Sequence, residues 1–425
     1  MSSSSGFSGP QQPFDSSSQP QQPASFNAFS PQPTAFAPEK RFSSPAASKR
    51  PRKRLISIAM IVLLVLVLLG AGALLGASIY FSNMILLVPD YTTPMYNTPV
   101  LAVSKTTVTL KRIGDDLHPG VFEIEWPAGQ ALVGPVLTFN QNAVTRQLLQ
   151  KAGPLASGAS VFWTRYVYTG QIRNSLGLAI SNVGVPDPLG TMPAWYVPGK
   201  LNTWAILVHG RGASRDEALR VFAPLAQLGL PLLAISYRND IGAPHSSDSA
   251  NHLGDSEWQD LEAAVKYALA QGAQHLVLYG WSQGGAVVEV FMHHSSLAHL
   301  VQTLVLDAPI LDWPATLAYQ AQKMSVPGFL VNTAELVTSI RSGINFNDLD
   351  QTNQPQPDIP ILLFHGVNDT STPVSVSDAF ARTHPDLVTY VRLPGVEHTE
   401  AWNANPQVYD NELTTFLKQK LSLPA

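Results

Sequence analysis

The chain has 425 residues, with 26 Lys+Arg against 30 Asp+Glu for a formal net charge of −4, and no cysteine. That length exceeds the roughly 150 residues of one domain, and the acidic balance argues against a general nucleic-acid binder. The missing thiols exclude a disulfide framework, a thiolate zinc site and a cysteine nucleophile. Charge is also unevenly placed: Lys40, Arg41, Lys49, Arg50, Arg52, Lys53 and Arg54 face only Asp15 and Glu39 before residue 55, so residues 1–54 are basic and the rest acidic.

Residues 1–54 are rich in Ser, Pro and Gln, as in Pro10-Gln11-Gln12-Pro13. Such a stretch buries too little apolar surface to offset its ordering entropy and reads as a disordered tail. Leu55 to Phe81 follows without a charge. Since about 20 helical residues cross the hydrocarbon of a bilayer, this run is expected to span it as a single helix. The basic cluster Lys49–Arg54 precedes the span and nothing comparable follows, so the tail is expected in the cytoplasm and everything after Phe81 outside, at the cell membrane. A cleaved signal peptide fits less well, because the run is long and begins far from Met1. Gly72 and Gly76 make a small-xxx-small pair, a weak dimerisation signal.

Beyond the span, Thr107–Lys111, Val121–Trp126 and Phe162–Val167 alternate with period two or nearly so, separated by Pro119-Gly120 and Gly134-Pro135. Residues 98–190 read as a β-rich extension, either a small domain or extra strands on a larger sheet. From about 191 the pattern becomes strand, turn, helix. The aliphatic runs Trp204–Val208, Leu232–Ile235, Leu276–Tyr279, Leu304–Leu306 and Ile361–Phe364 have the character of parallel strands covered on both faces. Ser214-Arg215-Asp216-Glu217 has the form of a capping box, and Leu261, Val265 and Leu269 mark one face of a helix. The expected fold is α/β, a mostly parallel sheet flanked by helices, whose ligands bind at the carboxyl edge of the strands. About fifty residues, 310–359, are not needed by the sheet; Trp313–Met324 and Phe329–Arg341 suggest a small helical cap.

The strand ends carry the chemistry. Gly280-Trp281-Ser282-Gln283-Gly284 stands between a strand and a helix, where a sharp turn holds a serine hydroxyl above the sheet and small residues leave room for the crossing backbone. A serine needs a base, and the base an orienting acid. Asp369, in His365-Gly366-Val367-Asn368-Asp369, and His398, in Gly395-Val396-Glu397-His398, follow successive strands. His209-Gly210-Arg211-Gly212 follows an earlier one, so the N–H of Gln283 with that of Arg211 or Gly212 would form an oxyanion hole. Each residue alone has a bland reading; three at successive strand ends in the order Ser, Asp, His do not.

On these motifs residues 191–425 resemble an α/β-hydrolase, and more closely the exported bacterial hydrolases of the serine aminopeptidase-like and prolyl-oligopeptidase-like groups. Gly254-Asp255-Ser256-Glu257-Trp258 and His365–Pro373 resemble stretches of such proteins. The resemblance implies a Ser282, Asp369, His398 triad with Gly280 and Gly284 framing the elbow, a small-molecule or acyl substrate, and neither metal nor organic cofactor. An esterase is the first expectation; a peptidase or acyltransferase on envelope material, or a non-catalytic envelope protein, are the alternatives. One departure stands out: residues 98–190 are too few for the propeller of prolyl-oligopeptidase-type peptidases.

Other residues are weighed and set aside. Asp307 is a substitute acid, Glu257 a cap, and Arg211 and Arg238 are structural or solvated before they are carboxylate binders. His293-His294 lacks a carboxylate at metal spacing, and Trp195 and Trp204 read as core.

Overall fold

The structure is a computed structural model that describes residues 51–423. The expected tail lies outside the described residues up to position 50. Helix α1 (Pro51–Leu86) contains the apolar run and extends it by one turn. Over Lys53–Leu86 it is long and apolar enough to cross a membrane, its most apolar 18 residues having a mean hydropathy of 3.0.

Six antiparallel strands come next: β1 (Thr98–Val103), β2 (Thr107–Lys111), β3 (Phe122–Trp126), β4 (Gly129–Phe139), β5 (Ala143–Ala152) and β6 (Ser160–Thr164). They close into a barrel in the order β1-β2-β5-β4-β3-β6, sealed by pairing of β1 with β6. Alternate positions point inward, so Val108, Leu110, Phe122, Ile124, Val144 and Val161 form its core. A buried Arg146 reaches across it. Its guanidinium donates to the carbonyls of Gly134 (2.7 Å), Asp116 (2.9 Å), His118 (2.9 Å) and Gly120 (2.7 Å), and lies over the rings of Phe122 and Trp163.

The remaining strands build an eight-stranded sheet. In chain order its elements are β7 (Ser181–Asp187), β8 (Gly190–Val197), β9 (Thr203–Val208), α2 (Leu219–Gln227), β10 (Leu232–Ile235), α3 (Trp258–Ala270), β11 (His275–Trp281), α4 (Gln283–His294) and β12 (Val301–Asp307). They continue with α5 (Trp313–Lys323), α6 (Gly328–Ser342), β13 (Ile361–Gly366), α7 (Val374–Thr383), β14 (Val388–Leu393), α8 (Ala401–Ala404) and α9 (Pro406–Lys420). The spatial order is β14-β13-β12-β11-β9-β10-β8-β7, parallel from β14 to β10 and antiparallel at β8 and β7. Every residue of β9, β10 and β13 is buried, as a central strand covered on both faces requires. Trp204 and Trp195 sit in the two cores on opposite sides.

The extension is divided where the sequence reading keeps it whole to residue 190. The barrel ends at Thr164, whereas β7 and β8 are a hairpin of the large sheet, with β8 in register against β10. The two parts of 98–190 thus differ: the first is the barrel, and the second pairs with the large sheet. Val185, Met192 and Ala194 explain the second half: their inward faces complete the core beneath β10.

Direction along the sheet reverses at β9, because β10 lies on one side of it and β11 on the other. The loops after β9 and β11 diverge there and open a crevice at the strands' carboxyl ends, the usual place for a ligand.

Candidate active site

Ser282 is the hinge between β11 and α4. Its φ of 51° and ψ of −118° are strained for a non-glycine residue, and the turn is held because its N–H donates to Asp307 O (3.0 Å) while its carbonyl accepts from Ile310 N (3.0 Å). Space dictates the flanking glycines. A Cβ on Gly280 would stand 2.5 Å from Gly284 O, and one on Gly284 would stand 2.1 Å from Val208 O. Any larger residue would push the helix off the sheet.

His398 Nε2 lies 2.9 Å from Ser282 Oγ, and His398 Nδ1 lies 2.7 Å from Asp369 Oδ2. An ionised carboxylate only accepts, so Nδ1 carries the proton and Nε2 offers its lone pair to the hydroxyl. Asp369 is held on all sides. The N–H groups of Ser371 and Thr372 each donate to Oδ1 at 2.7 Å, and Thr372 Oγ1 donates to Oδ2 at 2.8 Å. Burial alone would raise its pKa, but the neighbouring His398 and His365 outweigh burial and hold the carboxyl well below the ordinary carboxylate range.

Asp307 takes no part in this chain of contacts. Its Oδ2 accepts from Tyr409 Oη at 2.9 Å, and Tyr409 in turn meets the Tyr279 hydroxyl. Burial pushes its carboxyl up to about 6, against the pull of Arg220.

The loop after β9 brings Gly210 against the serine: a Cβ there would stand 3.0 Å from Ser282 Cβ. The Gly210 N–H is already used, donating to Glu217 Oε2 at 2.8 Å. Glu217 thus departs from the expected capping box. Ser214 Oγ does accept from Asp216 N (3.2 Å), but the glutamate supports the loop instead of returning to Ser214. Arg211 lines the same cavity as Ser282; Gly212 does not, lying instead under the segment after α1, where its carbonyl accepts from Tyr91 N (3.0 Å). The Arg211 side chain points away from the serine. Its Nη2 donates to the carbonyls of Met84 (2.9 Å), Ile85 (2.8 Å) and Leu87 (2.7 Å), closing the end of α1. Arg238 is likewise structural, paired with Asp260 at 2.7 Å, and Glu257 caps its own loop by accepting from His252 N and Gly254 N.

Several supporting residues escape a reading of the sequence. His365 stands 3.2 Å from Asp369 Oδ2 and is itself fixed by Ser377 Oγ (2.7 Å). Its position at the end of β13, four residues before Asp369, is a usable signal. Arg220 donates to Thr399 O (2.6 Å) and pairs with Glu217 (3.2 Å), tying the two loops beside the serine together. Arg165, just past barrel strand β6, donates to His398 O at 2.6 Å. Nothing local in the sequence marks that contact. Among the described residues no group of His, Asp and Glu is arranged to hold a metal ion.

The cavity over Ser282 has a volume of about 690 Å³, within the range of small-molecule sites. Its walls come from the barrel (Phe162, Trp163), the end of α1 (Phe81, Met84) and helices α5 and α6 (Leu317, Val331).

Residues 220–423, a little under half the chain, match the model of the prolyl oligopeptidase family, and residues 99–164, the barrel, match a domain of unknown function, DUF8805. No curated protein matches the chain. Among solved structures it is similar to an esterase of Pyrococcus furiosus (20% identity, 58% of this chain and 93% of that one, TM-score 0.46). It is also similar to a membrane phospholipase A described as a bacterial virulence factor (19%, 59% and 90%, TM-score 0.44). A third is a serine hydrolase without a lid from Xanthomonas campestris (19%, 58% and 96%, TM-score 0.41). With a sheet that reverses at β9, a serine on the turn after β11 and a hydrolase family matched at residues 220–423, the large sheet has the α/β-hydrolase fold and the chain is a hydrolase, of esterase or peptidase kind.

Proposed function

We propose that the protein is a membrane-anchored serine hydrolase that cleaves carboxylic esters outside the cytoplasm through an acyl-enzyme. The observation that carries this reading is the unbroken contact Ser282 Oγ, His398, Asp369 at 2.9 and 2.7 Å. His398 Nε2 takes the hydroxyl proton as Oγ attacks the ester carbonyl, and Asp369 holds the ring in the required tautomer and stabilises the imidazolium. The carbonyl oxygen becomes an oxyanion facing the N–H groups of Gln283 and Arg211. As the acyl–oxygen bond breaks, His398 returns the proton to the leaving alkoxide. Water, deprotonated by the same ring, then releases the carboxylic acid and restores Ser282. The anchor is the apolar run of α1, with the basic residues before that run on the cytoplasmic side.

The test is labelling by a fluorophosphonate probe together with turnover of p-nitrophenyl butyrate by the full chain in detergent. Ser282→Ala is expected to lose labelling and to lower turnover by at least about 10⁴-fold, with an unchanged circular dichroism spectrum; turnover within tenfold of the parent would refute the reading. A peptidase using the same residues is the second reading, favoured by the family matched at residues 220–423. Faster cleavage of a peptide amide than of its matched ester would select it.

A further inference from the structure

The cap is joined to the last turns of α1. Ser78 Oγ donates to Thr333 Oγ1 of α6 at 2.8 Å, and Arg341 Nη1 of α6 donates to Ser82 Oγ at 2.8 Å. Ile85 packs with Trp313, Ala334 and Ile344 of the cap in a buried cluster that also takes in Ala286 and Val290 of α4. Ser78 lies inside the apolar run that ends at Phe81, three residues or about 5 Å before its end. A bilayer that covers this run therefore reaches the level of α6.

The free face of α6 suits that level. Phe329, Leu336 and Ile340 are 62%, 59% and 75% exposed. Their spacing, with Thr333 between them, puts all four on one stripe of the helix, and Thr333 is the residue that touches Ser78. The unpartnered apolar stripe thus runs beside α1 where α1 leaves the membrane. Its inner neighbours Val331 and Ala334 line the cavity that also holds Ser282, Phe81 and Met84. One wall of the reaction cavity is consequently the end of the membrane helix, another is the helix that lies against it, and both are apolar.

Taking α1 as a membrane span and Ser282 as the nucleophile, we infer that the substrate is a long-chain fatty acyl ester of the bilayer itself. It is taken up sideways past the α1–α6 seam, with α6 resting its Phe329–Leu336–Ile340 stripe in the interface. The acyl chain occupies the apolar walls formed by Phe81, Met84, Leu317 and Val331, and the ester carbonyl reaches Ser282. The scissile bond, proton path and products are those described above, the released acid being a fatty acid. The shared chemistry admits two sources, a neutral glyceride or a phospholipid.

The experiment uses the full chain reconstituted in phosphatidylcholine vesicles, with and without dioleoylglycerol, and measures released oleate beside turnover of water-soluble p-nitrophenyl acetate. Oleate release from either vesicle supports the inference and identifies the source: from both, phospholipid; only from the doped vesicles, glyceride. Phe329→Asp with Ile340→Asp is expected to lower oleate release at least tenfold while p-nitrophenyl acetate turnover stays within about twofold. Where aspartate unfolds the cap and both rates fall together, Phe329→Ser with Ile340→Ser decides by the same two readouts. A parent that turns over the soluble ester but frees no oleate overturns the lipid inference and leaves the hydrolase reading standing. So does a polar pair whose two rates move in step. Failure of the parent on the soluble ester as well overturns both.

Discussion

In the barrel, one buried arginine closes the fold: the Arg146 guanidinium answers four carbonyls and stacks on two rings. At the carboxyl edge of the large sheet, buried polar groups are used differently. Ser282 sits at strained dihedrals with its hydroxyl on His398, and Asp369 gathers two histidines, two N–H groups and a hydroxyl. The first arrangement satisfies polar groups so that strands stay together. The second, on the proposed reading, aims them at a place where a reacting atom will stand. The two regions also meet, since Arg165 after β6 holds the carbonyl of His398 and the barrel supplies one wall of the cavity. The small barrel therefore contributes to the candidate site on another sheet.

The contrast is broken most directly at Asp369. Asp369→Asn keeps the size of the side chain but removes the charge that selects the Nδ1–H tautomer, so kcat/KM for p-nitrophenyl butyrate is expected to fall by about 10⁴. Stability should fall as well, and with a definite sign. The folded-state pKa is depressed below the ordinary value near 4, so the ionised carboxylate contributes stability above that value which is lost as pH falls through the depressed folded pKa. The difference in Tm between parent and variant should accordingly be greater at pH 7 than in strong acid. A variant that keeps a tenth of the parent activity would show that this edge is built like the barrel, for cohesion alone.

Arg146→Leu probes the other side. Four carbonyls lose their donor inside a closed barrel, at roughly 1–3 kcal/mol for each one left unsatisfied, and relaxation reduces the total to about 3–5 kcal/mol. Tm should drop by several degrees or more, while the kcat/KM of protein still folded at 20 °C stays within about threefold. Loss of activity without loss of Tm would mean that the barrel acts on the chemistry directly.

How much of this was legible in the sequence follows from the range of the interactions. The five aliphatic runs from Trp204 to Phe364 are central strands because burial on both faces demands continuous apolar residues, a demand visible in any short window. Ser282, Asp369 and His398 each follow a strand, so the topology that brings them together was readable as a spacing. Arg165 and Arg220 act across more than 170 residues of chain through single backbone carbonyls, which leave no local pattern. For the hairpin β7–β8 the sequence reading leaves both alternatives open, because its alternation looks the same whether it belongs to a small domain or extends a sheet; pairing such as that of Trp195 with Ala234 decides it. Arg211 was weighed for its backbone and for a substrate carboxylate, and its contact with the end of α1 depends on a helix more than a hundred residues earlier.

The smallest expected effect concerns Glu289, on α4 below the serine. It is fully buried and, among the described residues, neither carboxyl oxygen has a hydrogen-bond partner; the barrel's Arg146 has no such deficit. Burial pushes its pKa up to about 8, against about 4.5 for an exposed glutamate. The folded state therefore keeps a proton that the unfolded chain gives up, and stability declines as pH rises between those two values and levels off above the higher one. The decline is about 1.4 kcal/mol for each pH unit while it lasts. Glu289→Gln cannot titrate, so its Tm relative to the parent should rise on going from pH 6 to pH 7 and change little from pH 4 to pH 3. A parallel pair of Tm–pH curves would mean that Glu289 is ionised in the folded protein, with a partner or water access that the burial of α4 does not provide.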